Sequence, residues 1–361
     1  MKKRILALAL ALATTVACLT GCGQTSNPTS GSESGNGGGS VSQSDTSTPV
    51  TSPATAPAAD ATVLKVNLTV GTTDPQYQWW QDLAARLETA SEGTLKLELF
   101  TDQSLGTNDE ITVAVAGGGL FINVPDYAGL VDYCADASIY HVPYLIQEPS
   151  QIYDLWQSDV GQAIDAEIAQ NGIHVISAVY FGTRNVISSK PISSGADFGS
   201  IKLRVGTSKM WNFTAECLGA NATNTAWSEV YSALSSGVAD ACESPSTLLY
   251  SSKVYEVCKH LIKTEHLVCN SAIIMSEEVY QNLPDVAKSA LDTIGKEYAK
   301  ETVDLVNGVA DEYDQKLMDE GVEIVEIDKT PFIEYSQNNV EAAFPEWSEN
   351  LYQNAYHVLY G

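Results

Sequence analysis

The sequence predicts an α/β protein, and three observations carry that expectation. Short strand-like runs alternate with amphipathic helical runs from Ala61 onward, which is the pattern of helices packed on largely parallel sheets. Hydrophobic residues make up 44% of a 361-residue chain, enough to bury a large core in one or two domains. A single stretch from Pro284 to Glu320 keeps apolar residues at helical spacing throughout, so one helix is unusually long.

Taken in order, Leu64 to Val70 alternates apolar and polar as a half-buried strand does, and Gly71-Thr72-Thr73 turns the chain. Asp74-Pro75 then supplies an N-cap and a first helical residue, and the helix that follows carries Trp79, Trp80, Leu83, Ala84 and Leu87 on one side, ending near Gly93. A second strand, Leu95 to Phe100, leads to a helix from about Asn108 that closes at Gly117-Gly118-Gly119. Further strands are expected at His174 to Phe181, Ile201 to Val205, Leu267 to Met275 and Val322 to Ile327, with helices near Ser208 to Leu218 and Trp227 to Ser235. The Pro284 to Glu320 helix would extend on the order of 50 Å, more than one small lobe, unless Gly295 or Gly308 interrupts it.

The N-terminus reads as an export signal. Met1-Lys2-Lys3-Arg4 is a basic head, and Ile5 to Leu19 is an apolar run of about 15 residues, short of the roughly 20 that span a bilayer. Leu19-Thr20-Gly21-Cys22 looks like a bacterial lipobox, so residues 1–21 are expected to be removed and Cys22 to be lipidated; the alternative is an ordinary signal that happens to end near a cysteine. Losing its three basic residues would take the net charge from −26 to −29. Residues 22–61 are mostly Ser, Gly, Thr, Asn, Pro and Ala and bury too little to repay their ordering entropy, so they are expected to form a stalk. The expected location is the extracytoplasmic face of a cell membrane, reached through a lipid at Cys22.

Composition also narrows the function. Forty-five acidic against 19 basic side chains repel phosphate backbones and argue against a nucleic-acid partner. There is no GxSxG elbow, Walker A loop, post-strand GxGxxG, CxxC or HExxH, so neither an enzyme nor a cofactor or metal site is expected. An exported lipoprotein enzyme acting on a glycan or ester stays open, because so many carboxylates make some close pair inevitable. Once Cys22 is lipidated, Cys134, Cys217, Cys242, Cys258 and Cys269 remain; five cannot all pair, and they are read mostly as small buried hydrophobes.

Arginine is the informative residue type, since only Arg86, Arg184 and Arg204 lie beyond the signal. Arg86 sits on an amphipathic helix and is expected on its solvated face. Arg184 follows an apolar strand and Arg204 lies within one; a guanidinium in such a setting needs an anion. Either it pairs with an internal carboxylate or it awaits a carboxylate ligand, which its planar fork suits. Trp227 and Trp79-Trp80 begin helices, where they border a cleft or simply pack in the core.

Several phrases in the body, in the right order, resemble the solute-binding proteins of tripartite ATP-independent periplasmic (TRAP) transporters, of the DctP type. They include Asn171-Gly172-Ile173, Gly182-Thr183-Arg184, Ser189-Lys190-Pro191-Ile192, Ile201-Lys202-Leu203-Arg204-Val205, Ala226-Trp227-Ser228-Glu229-Val230-Tyr231 and Glu243-Ser244-Pro245. The resemblance implies a two-lobed periplasmic-binding-protein-like fold with a hinge and a long helix spanning both lobes. One lobe would take residues 62–181 plus 270–309, the other 182–269 plus 310–361. It further implies capture of an organic acid and its delivery to the small and large subunits of an ion-gradient-driven permease; a same-fold receptor serving a sensor or an ATP-driven permease is the variant reading. By the same resemblance Arg204 grips the ligand carboxylate, Arg184 is a second contact or a support, Trp227 walls the pocket, and the loops around Thr72 and Asp126 face it from the other lobe. Tyr77 is a further candidate contact. Ser244 stands where the family commonly has a ligand-holding asparagine, Leu120 where it has an acidic residue, and Gly206 where it has a proline. Aromatic, keto, sugar and dicarboxylic acids all stay open as ligands.

Overall fold

A computed structural model describes residues 61–361. The export signal, Cys22 and the stalk as far as residue 60 lie outside the described residues. In the described part no helix is long and apolar enough to cross a membrane.

The first half follows the sequence pattern closely. Strand β1 (Thr62–Asn67) is followed by α1 (Pro75–Ala90), whose Asp74 cap accepts the Gln76 amide at 2.9 Å, and then by β2 (Leu95–Phe100). Next comes α2 (Asn108–Ala116), closed at its start by a reciprocal cap between Thr107 and Glu110, and then β3 (Phe121–Asn123). Helices α3 (Ser150–Gln157) and α4 (Asp159–Gln170) lead into β4 (Ile173–Ser188). The chain continues through β5 (Lys202–Val205), α5 (Lys209–Cys217), β6 (Asn221–Asn224), α6 (Val230–Ser235), β7 (Ala241–Ser244) and α7 (Ser246–Ser251). It ends with β8 (His260–Ser276), α8 (Glu277–Asn282), α9 (Asp285–Asp319), β9 (Glu323–Glu326), α10 (Thr330–Ala343) and α11 (Leu351–Tyr360).

Five of the eight described strand pairs are parallel, as the alternation predicts, and the three central ones are antiparallel. All nine described strands join one sheet in the order β2-β1-β3-β8-β4-β7-β5-β6, with β9 also on β8. Its centre is antiparallel: β4 runs against β3's neighbour β8 and against β7, while the flanking pairs β1–β2, β1–β3, β5–β6, β5–β7 and β8–β9 are parallel. Strands β4 and β8, of 16 and 17 residues, are each about twice as long as the sequence pattern suggested. One half of each belongs with β1–β3, the other with β5–β7 and β9, so two lobes share two continuous strands. The register slips between Tyr180 and Gly182, beside the Gly182–Cys269 pair. Gly182 has φ of +132°, and a Cβ there would lie 2.6 Å from the Pro245 ring, so only glycine lets Pro245 approach β4 at this point.

Helix α9 runs unbroken for 35 residues, about 50 Å at 1.5 Å per residue. Gly295 does not interrupt it but brings it close to β4: a Cβ would meet the Ile176 carbonyl oxygen at 2.4 Å, and the Ser177 hydroxyl donates to the Gly295 carbonyl at 2.7 Å. Near its start Ala287, Leu291 and Ile294 pack with α1 and β1, while Leu317 packs with Ala239 and Val254 of the second lobe. The lobe boundaries need one correction. Residues 310–361 were all expected in the second lobe, yet Leu351, Tyr352 and Ala355 of α11 pack among Ile152, Trp156 and Ile164, in the first. The apolar stripe of α11 is buried against α3 and α4, which lie far from it in the chain.

Candidate functional site

A cavity of about 960 Å³, measured out to its open mouth, lies where the two lobes face each other. From the first lobe come Thr69, Gln103, Asn108, Asp109 and Asp126; from the second come Arg184, Arg204, Trp211, Thr225, Trp227 and Glu243. Two hydrogen bonds tie the walls together across the cleft: Trp211 Nε1 donates to Asp126 Oδ2 at 3.1 Å, and the Thr207 hydroxyl donates to Asp109 Oδ2 at 3.3 Å.

The two arginines reach the same cleft with different partners. Arg184, on β4 and 7% exposed, donates from Nε and Nη2 to the two carboxylate oxygens of Glu243, the latter at 2.8 Å, and from Nη2 to the Glu243 carbonyl at 3.0 Å. The Trp211 ring lies 4.8 Å from the guanidinium. Burial works against the charge of Arg184, but Glu243 outweighs it and leaves its pKa above the ordinary value. Glu243 is fully buried; burial would raise its pKa, yet Arg184 and His266 hold it at about 2. His266 Nε2 lies 3.3 Å from Glu243 Oε2, and its Nδ1 lies 2.8 Å from the Thr264 hydroxyl. Arg184 is therefore neutralised within the protein.

Arg204, on β5 and 4% exposed, has no carboxylate partner among the described residues. Its Nε donates to Thr225 Oγ1 at 3.3 Å and its Nη2 to the Thr225 carbonyl, both neutral acceptors. The Trp227 ring lies 5.3 Å from its guanidinium. Burial pushes its pKa down, with only partial compensation from Glu243. A buried guanidinium held by neutral acceptors is a positive charge waiting for an anion.

Four of the residues singled out in the sequence, Arg184, Arg204, Trp227 and Asp126, line this cavity. Thr72, Tyr77 and Ser244 do not. Thr72 lies on the exposed turn ahead of α1, and Tyr77, half-buried in the first turn of α1, packs against the first-lobe core; Thr69, three residues before Thr72, lines the cleft in their place. Ser244 is fully buried in β7 opposite Asn185, outside the cavity lining, and its hydroxyl has no hydrogen-bond partner among the described residues. Asparagine's longer side chain would project beyond the point that this hydroxyl reaches.

Sequence reasoning missed Glu243, Trp211 and Thr225. Glu243 had a signal: a lone carboxylate inside the otherwise small, uncharged run Ala241 to Pro245. Trp211 and Thr225 had none, because their roles depend on how α5 and the segment after β6 sit on β5. The five described cysteines are all free and buried, and no group of three or more His, Cys, Asp or Glu among the described residues is arranged to hold a metal ion.

Comparison with known proteins places the fold. The family model described as bacterial extracellular solute-binding protein, family 7 (DctP) matches residues 66–347. The chain is 28% identical over 294 residues to the sialic acid-binding periplasmic protein of Vibrio cholerae, covering 81% of this chain and 90% of that one. Among solved structures, a TRAP periplasmic solute-binding protein of Actinobacillus succinogenes with bound L-galactonate superposes with a TM-score of 0.79 at 27% identity, over 82% of this chain and 99% of that one. Another, from Fusobacterium nucleatum with bound sn-glycerol 3-phosphate, superposes with a TM-score of 0.78 at 30% identity, over 83% and 97%.

Proposed function

This chain belongs to the DctP family of TRAP solute-binding proteins, and on that premise we propose that it captures an organic acid through a clamp of Arg204 on the ligand carboxylate and hands it to a TRAP permease. The observation that carries the reading is Arg204 itself: buried, charged, and without an internal carboxylate, in the cleft between two lobes. A chain with a net charge of −26 repels anions at long range, so capture depends on a local positive site. Arg204 supplies the fork, Trp227 keeps water from its face, and Arg184, already spent on Glu243, holds that wall in place from behind. Related proteins bind sialic acid, L-galactonate and sn-glycerol 3-phosphate, all of which present an anionic group to their receptors.

The mechanism is closure. With the lobes apart, Arg204 stays hydrated; as they close on a bound acid, water leaves and the ion pair strengthens in the lower dielectric. The hinge lies where β4 and β8 cross at Gly182 and Cys269, so the working lobes are 62–181 with 270–309 and 182–269 with most of the remainder, α11 excepted. Delivery is to the small and large membrane subunits of an ion-gradient-driven permease, with the receptor held at the extracytoplasmic face through a lipid on Cys22. Replacing Cys22 by alanine is expected to release the protein from the membrane fraction; retention would remove the anchor from the proposal.

The clamp is tested by thermal unfolding of the ligand-free protein against a panel of small carboxylates, with Arg204→Ala alongside. At one hundred times its dissociation constant a ligand adds about 2.7 kcal/mol, a visible rise in melting temperature. The expected result is a shift with at least one acid that disappears in the variant. Equal shifts in both proteins would remove Arg204 from the clamp.

A further inference from the structure

Trp211 belongs to the second lobe, in the first turn of α5, yet it reaches the first lobe at two points. Its Nε1 donates to Asp126 Oδ2 at 3.1 Å, and its ring meets the His141 imidazole edge to face with centroids 5.5 Å apart. Both partners are fixed in their own lobe: the Asp126 backbone bridges to Ser271 of β8, and His141 is fully buried. Burial holds the His141 pKa at about 4, so the imidazole meets the indole uncharged. From behind, the Arg184 guanidinium lies 4.8 Å from the indole ring and ties it to the second lobe. The bond to Asp126 has a carboxylate acceptor, which makes it stronger than one between neutral groups. Beside it, the Thr207 hydroxyl reaches Asp109 Oδ2 at 3.3 Å across the same cleft.

The room for this ring comes from Gly206, which stands where the family phrase has a proline. A Cβ at position 206 would lie 2.4 Å from Trp211 Cδ1 and 2.7 Å from Nε1, so any other residue would push the indole away from Asp126. The departure from the family phrase and the bridging indole are therefore one feature of this chain. We propose that Trp211 is a latch that draws the two lobes together with or without a ligand, so that closure is only in part the ligand's doing. A ligand that meets partly closed lobes gives up less of its binding free energy to the change. The latch thus raises affinity for every acid by the same factor and sets no preference among them. The inference rests on the closure reading and deepens it.

The test traps closure in the full-length protein, freed of ligand by unfolding and refolding. Asp109→Cys and Thr207→Cys place thiols on facing walls, where the native side chains touch across the cleft. The described native cysteines are all buried, which leaves the introduced pair to the reagent. The rate at which a short bismethanethiosulfonate links that pair, read by peptide mapping, follows the closed fraction however small it is. The expected result is linking with no ligand present, slowed about tenfold in Trp211→Phe, which keeps a ring and loses the N–H. Asp126→Ala is expected to slow it by the same factor, and the two substitutions together no further, because they remove one bond. Gly206→Ala slows it with both partners of the bond in place, and urea unfolding shows that each variant is folded. A role for Trp211 as a ligand contact alone would not move a rate measured without ligand. Rates within about twofold of the parent in Trp211→Phe and Asp126→Ala, or losses that add in the double variant, would overturn the latch and leave capture on Arg204 standing. No linking in any of the proteins would show lobes that stay apart without a ligand and would overturn it as well. Linking as expected, with no acid raising the melting temperature, would instead bring down the capture reading and keep the latch.

Discussion

Arg184 and Arg204 are both buried, both on sheet strands and both in the wall of one cleft, yet they do different work because of one residue. Arg184 meets Glu243 with two nitrogens and becomes part of the frame; Arg204 meets only Thr225 and keeps its charge for something else. The same side chain in similar burial is structural when an internal carboxylate faces it and receptive when none does. Proximity to a cleft alone does not make an arginine a ligand contact, and the distinction lies in which carboxylate the fold delivers.

That contrast can be broken from either side. Glu243→Gln keeps the shape but leaves Arg184 buried without its counter-charge, so stability is expected to fall by about 3 to 5 kcal/mol in chemical denaturation. A loss below about 1 kcal/mol would mean that Arg184 finds another anion or water. Arg204→Ala is expected to do the reverse: little loss of stability without ligand, because no internal pair is broken, and a loss of affinity of about 2 to 5 kcal/mol. Unfolding of that variant at ordinary temperature would make Arg204 structural too.

Acid sharpens the comparison because only the Arg184 wall contains a strongly depressed carboxyl. Glu243 is held at about 2 against an ordinary 4.5 by Arg184 and His266, so its contribution is complete above pH 4.5 and is lost as the pH falls toward 2. The pH–stability profile of the wild type should therefore steepen between those values, and that of Glu243→Gln should lack this component. Superimposable profiles would place the acid sensitivity elsewhere. The smallest effect is expected for Trp227→Leu, which keeps apolar bulk but removes the ring over Arg204: affinity should fall by about 0.5 to 2 kcal/mol, with ligand-free stability little changed. An unchanged affinity would reduce Trp227 to a spacer.

Much of the frame was legible because its causes are local. Asp74-Pro75 starts α1 by capping and by proline's fixed φ, and both act within three residues. Leu95 to Phe100 matches β2 residue for residue, since alternation is sufficient on a strand with one buried face. The long helix was visible in eleven apolar positions, although its two glycines looked like breaks; Gly295 proves to be a contact point, which depends on where β4 lies. Strands β4 and β8 were seen only in part, because Thr183, Arg184 and Asn185 in one and Lys263, Thr264, Glu265 and His266 in the other interrupt the apolar run that marks a strand.

The candidate site divides along the same line. Arg204, Arg184, Trp227 and Asp126, singled out from scarcity, apolar flanks and family phrases, all line the cleft. Thr72 and Tyr77 were misplaced because the chain enters the cleft at Thr69, just past the end of β1, rather than at the turn before α1. Ser244 lies beside Glu243 in β7, next to the cavity wall but outside its lining.

By itself the sequence determined the alternation of strands and helices, their caps, the long helix and the family, since all of these follow from neighbours in the chain or from ordered phrases. Only the tertiary structure decided which arginine is free of an internal carboxylate and where the two lobes share their strands. Those outcomes depend on partners 59 residues apart, as for Arg184 and Glu243, or 85 apart, as for Trp211 and Asp126. A charge or a hydrogen-bond acceptor takes its role from what is folded against it, and no local pattern records that.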